Sequence, residues 1–531
     1  FRFSDVVPGE YRLYATHSNA YAPAEYGQRS PSGLGMPLVL AAGQSKTGIT
    51  LTMTQTASIS GRVTDGNREP AAFTSMLAFR IVYRQGVRTV EVVQSVLTDD
   101  RGEYRLFWLV PGRYYLSAMP IQARPYSLPL SFPSRVGGAL YTGTPVIALR
   151  ASDAGDVFEE TYLPMYYPGT LDIRSSKPIM LRAGENLRAD FNVGPTATRT
   201  LQIAGTIFLS AGQPLPNARL ELAPRKPEGH SIVVPTANAD ANGNFSIRGI
   251  VPGSYFLYVT SQGGQPFPAP GTPPPPPGSP EPILMTATIP LDIGLNAQTS
   301  DLNNLKIQAV TGANIPWQIT FEPRVGSSTT PPTFNVSLVR DPDLAGAPPA
   351  LLSTRNVRAT PGNQAERLLR GVGSGDFRVT ISGVPKTGYV KSIRLGSADI
   401  LKDGLHMAGP VRDELQIVVS DNAGQLDGVV LDFKRQPFSN ATIALLPEFN
   451  QRAGRLDLFK NSTSNEDGKF HFEGVAPGTY KIFAWEDIPP DDWYDPEVVQ
   501  PYESQGTSVQ IEEVKTKTIE VRVIPTVRSE P

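Results

Sequence analysis

Apolar and polar residues alternate strictly in short runs along this chain, and glycine or proline bounds nearly every run. Tyr114-x-Leu116-x-Ala118, Tyr255-x-Leu257-x-Val259, Leu415-Gln416-Ile417-Val418-Val419 and Thr518-Ile519-Glu520-Val521-Arg522-Val523 each send alternate side chains to one face. That period predicts strands with one buried face. A helical period is weak and confined to 363–370 and 496–504. The pattern therefore predicts an all-β chain.

The strands recur in a template. Val7-Pro8-Gly9-Glu10-Tyr11, Val110-Pro111-Gly112-Arg113-Tyr114, Val251-Pro252-Gly253-Ser254-Tyr255 and Ala476-Pro477-Gly478-Thr479-Tyr480 share one motif. In the last three copies an aromatic precedes the motif (Tyr104, Phe245, Phe470), with a turn glycine before it (Gly102, Gly243, Gly468) and an opening-strand glycine far upstream (Gly61, Gly205, Gly428). Proline presets φ and glycine tolerates positive φ, so Pro-Gly predicts a type II turn inside a strand, turn, strand, turn, strand meander. An eroded copy centres on Gly373-Ser374-Gly375-Asp376-Phe377. Repeats roughly 100 to 140 residues apart suit one β-sandwich each.

These copies divide the chain into residues 1–56, 57–198, 199–310, 311–420 and 421–531, called units 1 to 5 below. Unit 1 holds only the C-terminal half of the template, because Phe1 aligns with Tyr104, Phe245 and Phe470. Either the sequence is truncated or processed there, or another molecule supplies the missing strands. Leu38-Val39-Leu40-Ala41-Ala42-Gly43 matches the lead-in Ile179-Met180-Leu181-Arg182-Ala183-Gly184, and Gly48 to Met53 alternates like a strand. Unit 3 carries the run Pro273 to Pro277 within the Pro/Gly-rich stretch 263–282, which favours a polyproline-like surface loop.

Composition narrows the classes. Among 531 residues are 51 prolines and 48 glycines, yet 40% are hydrophobic, so the chain is turn-dense and folded. A net charge of −2 without a long basic run argues against nucleic-acid and anionic-membrane partners, and no stretch has the length of a membrane-spanning helix. Cysteine is absent, which removes disulfides, thiolate metal sites and thiol catalysis together. The histidines His17, His230, His406 and His471 fall in four different units, none at metal-ligand spacing from another. Neither a nucleophile elbow nor a phosphate-binding loop appears. The chain reads as no enzyme, with no cofactor and no metal.

The Gly-x-Val openings, Asp/Asn-x-x-Gly-x-Phe hairpins and Pro-Gly-x-Tyr turns resemble the carboxypeptidase regulatory-like repeats, which have a transthyretin-like (prealbumin-like) β-sandwich fold. The resemblance covers units 2, 3 and 5, half of unit 1 and, loosely, unit 4. It implies a tandem array of Ig-like or prealbumin-like sandwiches, and tandem arrays of this kind look like large exported bacterial proteins.

Several residues remain as candidates for chemistry or contact. Asp99-Asp100 and Glu466-Asp467 offer oxygens to calcium, although hairpin-tip acids serve as turn formers. Related surface modules carry Lys–Asn crosslinks, for which Lys434 and Lys469 are testable. The aromatic, acidic loop from Trp485 through Trp493 and Tyr494 to Asp495 suits packing on its own sandwich, contact with another unit or subunit, or a glycan. The expected function is an extracellular, cell-surface structural protein of bacteria: a rod of repeats serving as stalk or filament subunit, self-associating or binding other surface proteins, with strand complementation at unit 1. The alternative is an adhesin that binds glycan or protein.

Overall fold

The computed structural model describes residues 1–31, 33–84, 87–120, 148–151, 157–194, 197–224, 236–261, 285–294, 302–324, 332–340, 357–359, 368–407, 409, 411–449, 452 and 455–525. The stretch 262–284 with its polyproline run, residues 363–367 and His230 lie outside them. Among the described residues nearly all regular secondary structure is strand, and no helix is long and apolar enough to cross a membrane.

Unit 5 shows the design most completely. Its opening strand Gly424–Leu431 pairs antiparallel with Lys469–Val475 and parallel with the closing strand Thr516–Ile524. A second sheet sets Thr442–Pro447 between Lys460–Thr463 and Gly478–Trp485, which also takes Thr507–Ile511. Alternation decides what is buried: Phe470 and Phe472 turn inward while Lys469 and His471 face water. Phe470, Tyr480 and Ile482 meet Leu426, Ile443, Leu445 and Val521 between the sheets.

The same frame recurs in units 2, 3 and 4. Opening strands Ala57–Asp65, Leu201–Phe208 and Ala313–Glu322 each hold one antiparallel and at least one parallel neighbour. Each unit encloses its own apolar core. Register ties all five copies together, since the motif glycine always opposes the end of the lead-in strand: Gly9↔Leu40, Gly112↔Leu181, Gly253↔Ile293, Gly375↔Met407 and Gly478↔Ile511. Glycine at the opening-strand position is a packing requirement. A Cβ on Gly61 or Gly205 would stand 2.0 or 2.1 Å from a carbonyl oxygen of the parallel strand.

Three expectations are corrected. Gly48 to Met53 forms no strand, because it pairs with no other strand among the described residues. Leu368–Arg370 is strand rather than helix, part of Leu368–Val372. The Pro-Gly segments are not type II turns. Gly9 and Gly253 have no positive φ, and Gly112 and Gly478 sit at +153° and +157°, far from the roughly +80° of such a turn. The positive φ falls four residues earlier, at Asp5 (60°), Trp108 (57°), Gly249 (73°), Gly371 (67°) and Gly474 (64°). There the pairing register slips in units 2 to 5, so a β-bulge bends the strand before Pro-Gly carries it to the other sheet.

The sequence leaves the angles between units open. Consecutive units meet at polar joints: Arg248 lies 3.6 Å from Glu159, the Thr288 hydroxyl donates to Ser374 O at 3.0 Å, and the Tyr389 hydroxyl donates to Glu513 at 2.6 Å. Unit 1, however, also touches unit 5, so the array folds back on itself.

Candidate interaction surface

The motif residues form a latch rather than a turn. In each full copy the tyrosine folds back over its glycine and donates its hydroxyl to the carbonyl four residues upstream: Tyr114 to Val110 O at 2.7 Å, Tyr255 to Val251 O at 2.7 Å, Tyr480 to Ala476 O at 2.8 Å, and Tyr11 to Val7 O. Glycine seats the ring. A Cβ on Gly253 would stand 3.0 Å from the Tyr255 ring, and one on Gly478 or Gly9 3.6 or 3.7 Å from Tyr480 or Tyr11. At Gly112 the neighbour is instead the Arg80 guanidinium, stacked 4.4 Å over Tyr114. Pro8, Pro111, Pro252 and Pro477 stiffen the segment that the hydroxyl spans. Burial pushes the Tyr255 phenol up to about 12, so it stays a donor at any physiological pH. In unit 4 Phe377 fills the same place without a hydroxyl. The bond could have been inferred from the sequence, because tyrosine in four of the five copies is a choice that ring burial alone does not require.

The turn acids are structural as well. The Asp99 carboxylate accepts from the amides of Arg101 and Glu103 at 3.0 and 2.8 Å, and Asp240 and Asn465 repeat the arrangement. Among the described residues no group of carboxylates or histidines is arranged to hold a metal. His406 and His471 pair with Asp376 and Asp427 at 2.5 and 2.7 Å, and His17 meets Ser18 at 3.0 Å. Lys434 lies over the neighbouring Phe433 ring and Lys469 stands 3.9 Å from Asp467, both at exposed hairpin tips.

The aromatic loop is buried, which overturns the glycan reading of its rings. Trp485 and Trp493 are each 2% exposed and Tyr494 is half-buried, so no indole face is available to stack on a sugar. With Ile488, Val499 and Phe459 they cap the outer face of the second sheet, over Ala444, Leu446 and Phe483. Phe483 stacks on Trp485 at 5.2 Å and Phe459 on Tyr494 at 4.8 Å. Asp495 starts the short helix Pro496–Val499 by accepting from the Glu497 amide. Glu503 receives Arg452 and Lys481 at 3.0 and 2.9 Å, which pins the far end.

Unit 1 docks beside this cap. Leu34 packs into its apolar cluster, and the Ser30 hydroxyl donates to Asp487 at 3.1 Å. Arg29 lies 4.5 Å over the Phe438 ring and donates to Ser439 O at 2.7 Å, while the Asn440 amide donates to Gly27 O. Glu466, a calcium candidate from sequence, instead accepts from Tyr26 at 2.8 Å and Lys46 at 2.9 Å, and these bonds hold its carboxyl below the usual range. Gly33 has no room for a side chain, since a Cβ would stand 2.9 Å from Asp487 Oδ1. Burial pushes Asp487 up and Asp492 up to about 6. Asp492 opens the turn Asp492–Tyr494, which rests against the unit 2 strand Thr74–Arg84, and Arg113 of unit 2 partly offsets the desolvation.

Sequence reasoning missed one further feature. At the bulge where units 3, 4 and 5 use glycine, unit 2 has Trp108, which is 56% exposed and packs edge-on against Phe107 at 4.8 Å. Where units 3 and 5 place Asn217 and Asn440 at positive φ, unit 2 has the exposed Phe73. Left-handed backbone disfavours bulky residues, so both positions are strained. Aligning the copies four residues before each motif glycine exposes the Trp108 substitution.

Residues 202–276 match the family model of the carboxypeptidase regulatory-like domain. No curated protein matches the sequence. Among solved structures, the TIE protein of Bacillus anthracis is 12% identical over 98% of this chain and 60% of that one, with a TM-score of 0.13. The chain thus spans 60% of that protein's length. The minor pilin of Streptococcus agalactiae is 13% identical over 40% of this chain and 99% of its own, with a TM-score of 0.20. The full-length major pilin of Streptococcus pneumoniae is 8% identical over 91% and 96%, with a TM-score of 0.13. Scores this low establish no shared arrangement, and the functional reading below rests on the units themselves.

Proposed function

We propose that this chain is a non-catalytic structural protein of a bacterial cell surface, built from β-sandwich units divided at 57, 199, 311 and 421, and that it works by self-association. The observation that carries this reading is where the polar residues go. Tyr114, Tyr255 and Tyr480 serve as latches, Asp99 as a turn cap, and Glu466 as part of the joint with unit 1. Complete absence of cysteine suits an exported chain whose strength comes from sandwich packing. Strand complementation at unit 1 is a finer form of the same reading.

An adhesin is the second reading, and the exposed, strained Phe107–Trp108 pair favours it as a protein contact. Immunogold labelling of intact cells tests the first reading. Label arrayed on the outer surface is the expected result, and label confined to the cytoplasm would overturn it.

A further inference from the structure

We propose that the contact between unit 1 and unit 5 is an exchangeable joint: Tyr26, Arg29, Ser30, Leu34 and Lys46 of one copy dock on the face of a second copy that carries Phe438, Asn440, Glu466 and Asp487, linking chains head to tail. The inference rests on the self-association reading and names the surfaces that carry it.

The two faces are complementary and unlike each other. Unit 1 brings Arg29 and Lys46, and unit 5 brings Glu466 and Asp487. Such a pair cannot form a symmetric contact of one face with itself, so joined between molecules it runs head to tail, as an open chain or a closed ring. The faces lie on units 1 and 5, joined through units 2 to 4, and the unit 5 cap also rests against unit 2. Every bond made within one chain is therefore equally available between two.

The joint is also modest in strength. In the Lys46–Glu466 pair the lysine is 20% and the glutamate 49% exposed, and ion pairs open to solvent on one side contribute modestly. The apolar part of the contact is Leu34 against the Trp485–Trp493 cap. Asp487 gives up solvent at the contact, and that desolvation opposes docking at neutral pH. With the contacts equal in both arrangements, effective concentration decides between them, and crowding at a surface favours the intermolecular form.

The cysteine-free background permits a direct test. Chains carrying Ser30→Cys and chains carrying Asp487→Cys are mixed and oxidised, with Ser508→Cys, on an exposed strand position of unit 5, as the control partner. A mixed disulfide dimer that rises with concentration is expected, while the double variant Ser30→Cys/Asp487→Cys closes within one chain when dilute. Glu466→Lys in the Asp487→Cys chain lowers the dimer yield by roughly fivefold or more, and Lys46→Glu in the Ser30→Cys chain restores it. A dimer yield no greater than that of the Ser508→Cys control overturns the joint. Light scattering of the unmodified chain separates the two ways of failing. Self-association without the mixed dimer removes only this joint, and a monomer at every concentration removes the underlying reading as well.

Discussion

The tyrosine latch turns a sequence motif into a measurable bond. Tyr480→Phe keeps the buried ring and removes the donor, leaving Ala476 O without its partner, so unit 5 should lose about 1–2 kcal/mol in denaturant titration. Tyr480→Ala also empties the core position and should cost about 3–5 kcal/mol. Trp108 runs the other way. Left-handed backbone costs a non-glycine residue about 1–2 kcal/mol, offset in part by the extra chain entropy that glycine loses, so Trp108→Gly should stabilise unit 2 by roughly 0.5–1 kcal/mol. Loss of stability on that change would mean that the ring packs in a way its exposure does not indicate.

Strands and their faces were legible because alternation alone decides which side chains meet in the core, and Phe470, Phe472, Tyr480 and Ile482 all fall inside as the period requires. The turn type was not legible. Pro-Gly is compatible with positive φ, but the bend is made by the bulge four residues upstream, where Gly249, Gly371 and Gly474 stand. The hairpin glycines carry the strain instead. Gly243 has φ +75°, and a Cβ there would stand 2.4 Å from Ile207 O, so Gly243→Ala should cost at least about 2 kcal/mol, localised to unit 3 by hydrogen exchange.

The aromatic loop was legible as a packing element but not in its partners, because contacts between residues more than 400 positions apart leave no local signal. Its acids give the folded-back form a pH dependence. Asp492 has a raised pKa, so its stabilising contribution is complete below the ordinary aspartate range and is lost as pH rises through about 6. Arg113, Asp491 and Asp495 face it, and Asp492→Asn should flatten this dependence and stabilise the cap at neutral pH by on the order of 1–3 kcal/mol. Glu466 acts in the opposite sense: its lowered pKa makes the Lys46 and Tyr26 bonds fail as pH falls through the acid range. Melting of the full chain followed across pH separates the two groups.

Self-association as a surface structural protein is tested most directly by electron microscopy of native material. Ordered filaments or arrays with one chain per repeat are the expected result, with unit 1 of each copy in contact with the unit 5 face of the next. Discrete monomers at every concentration, dispersed and without ordered contacts, would contradict it.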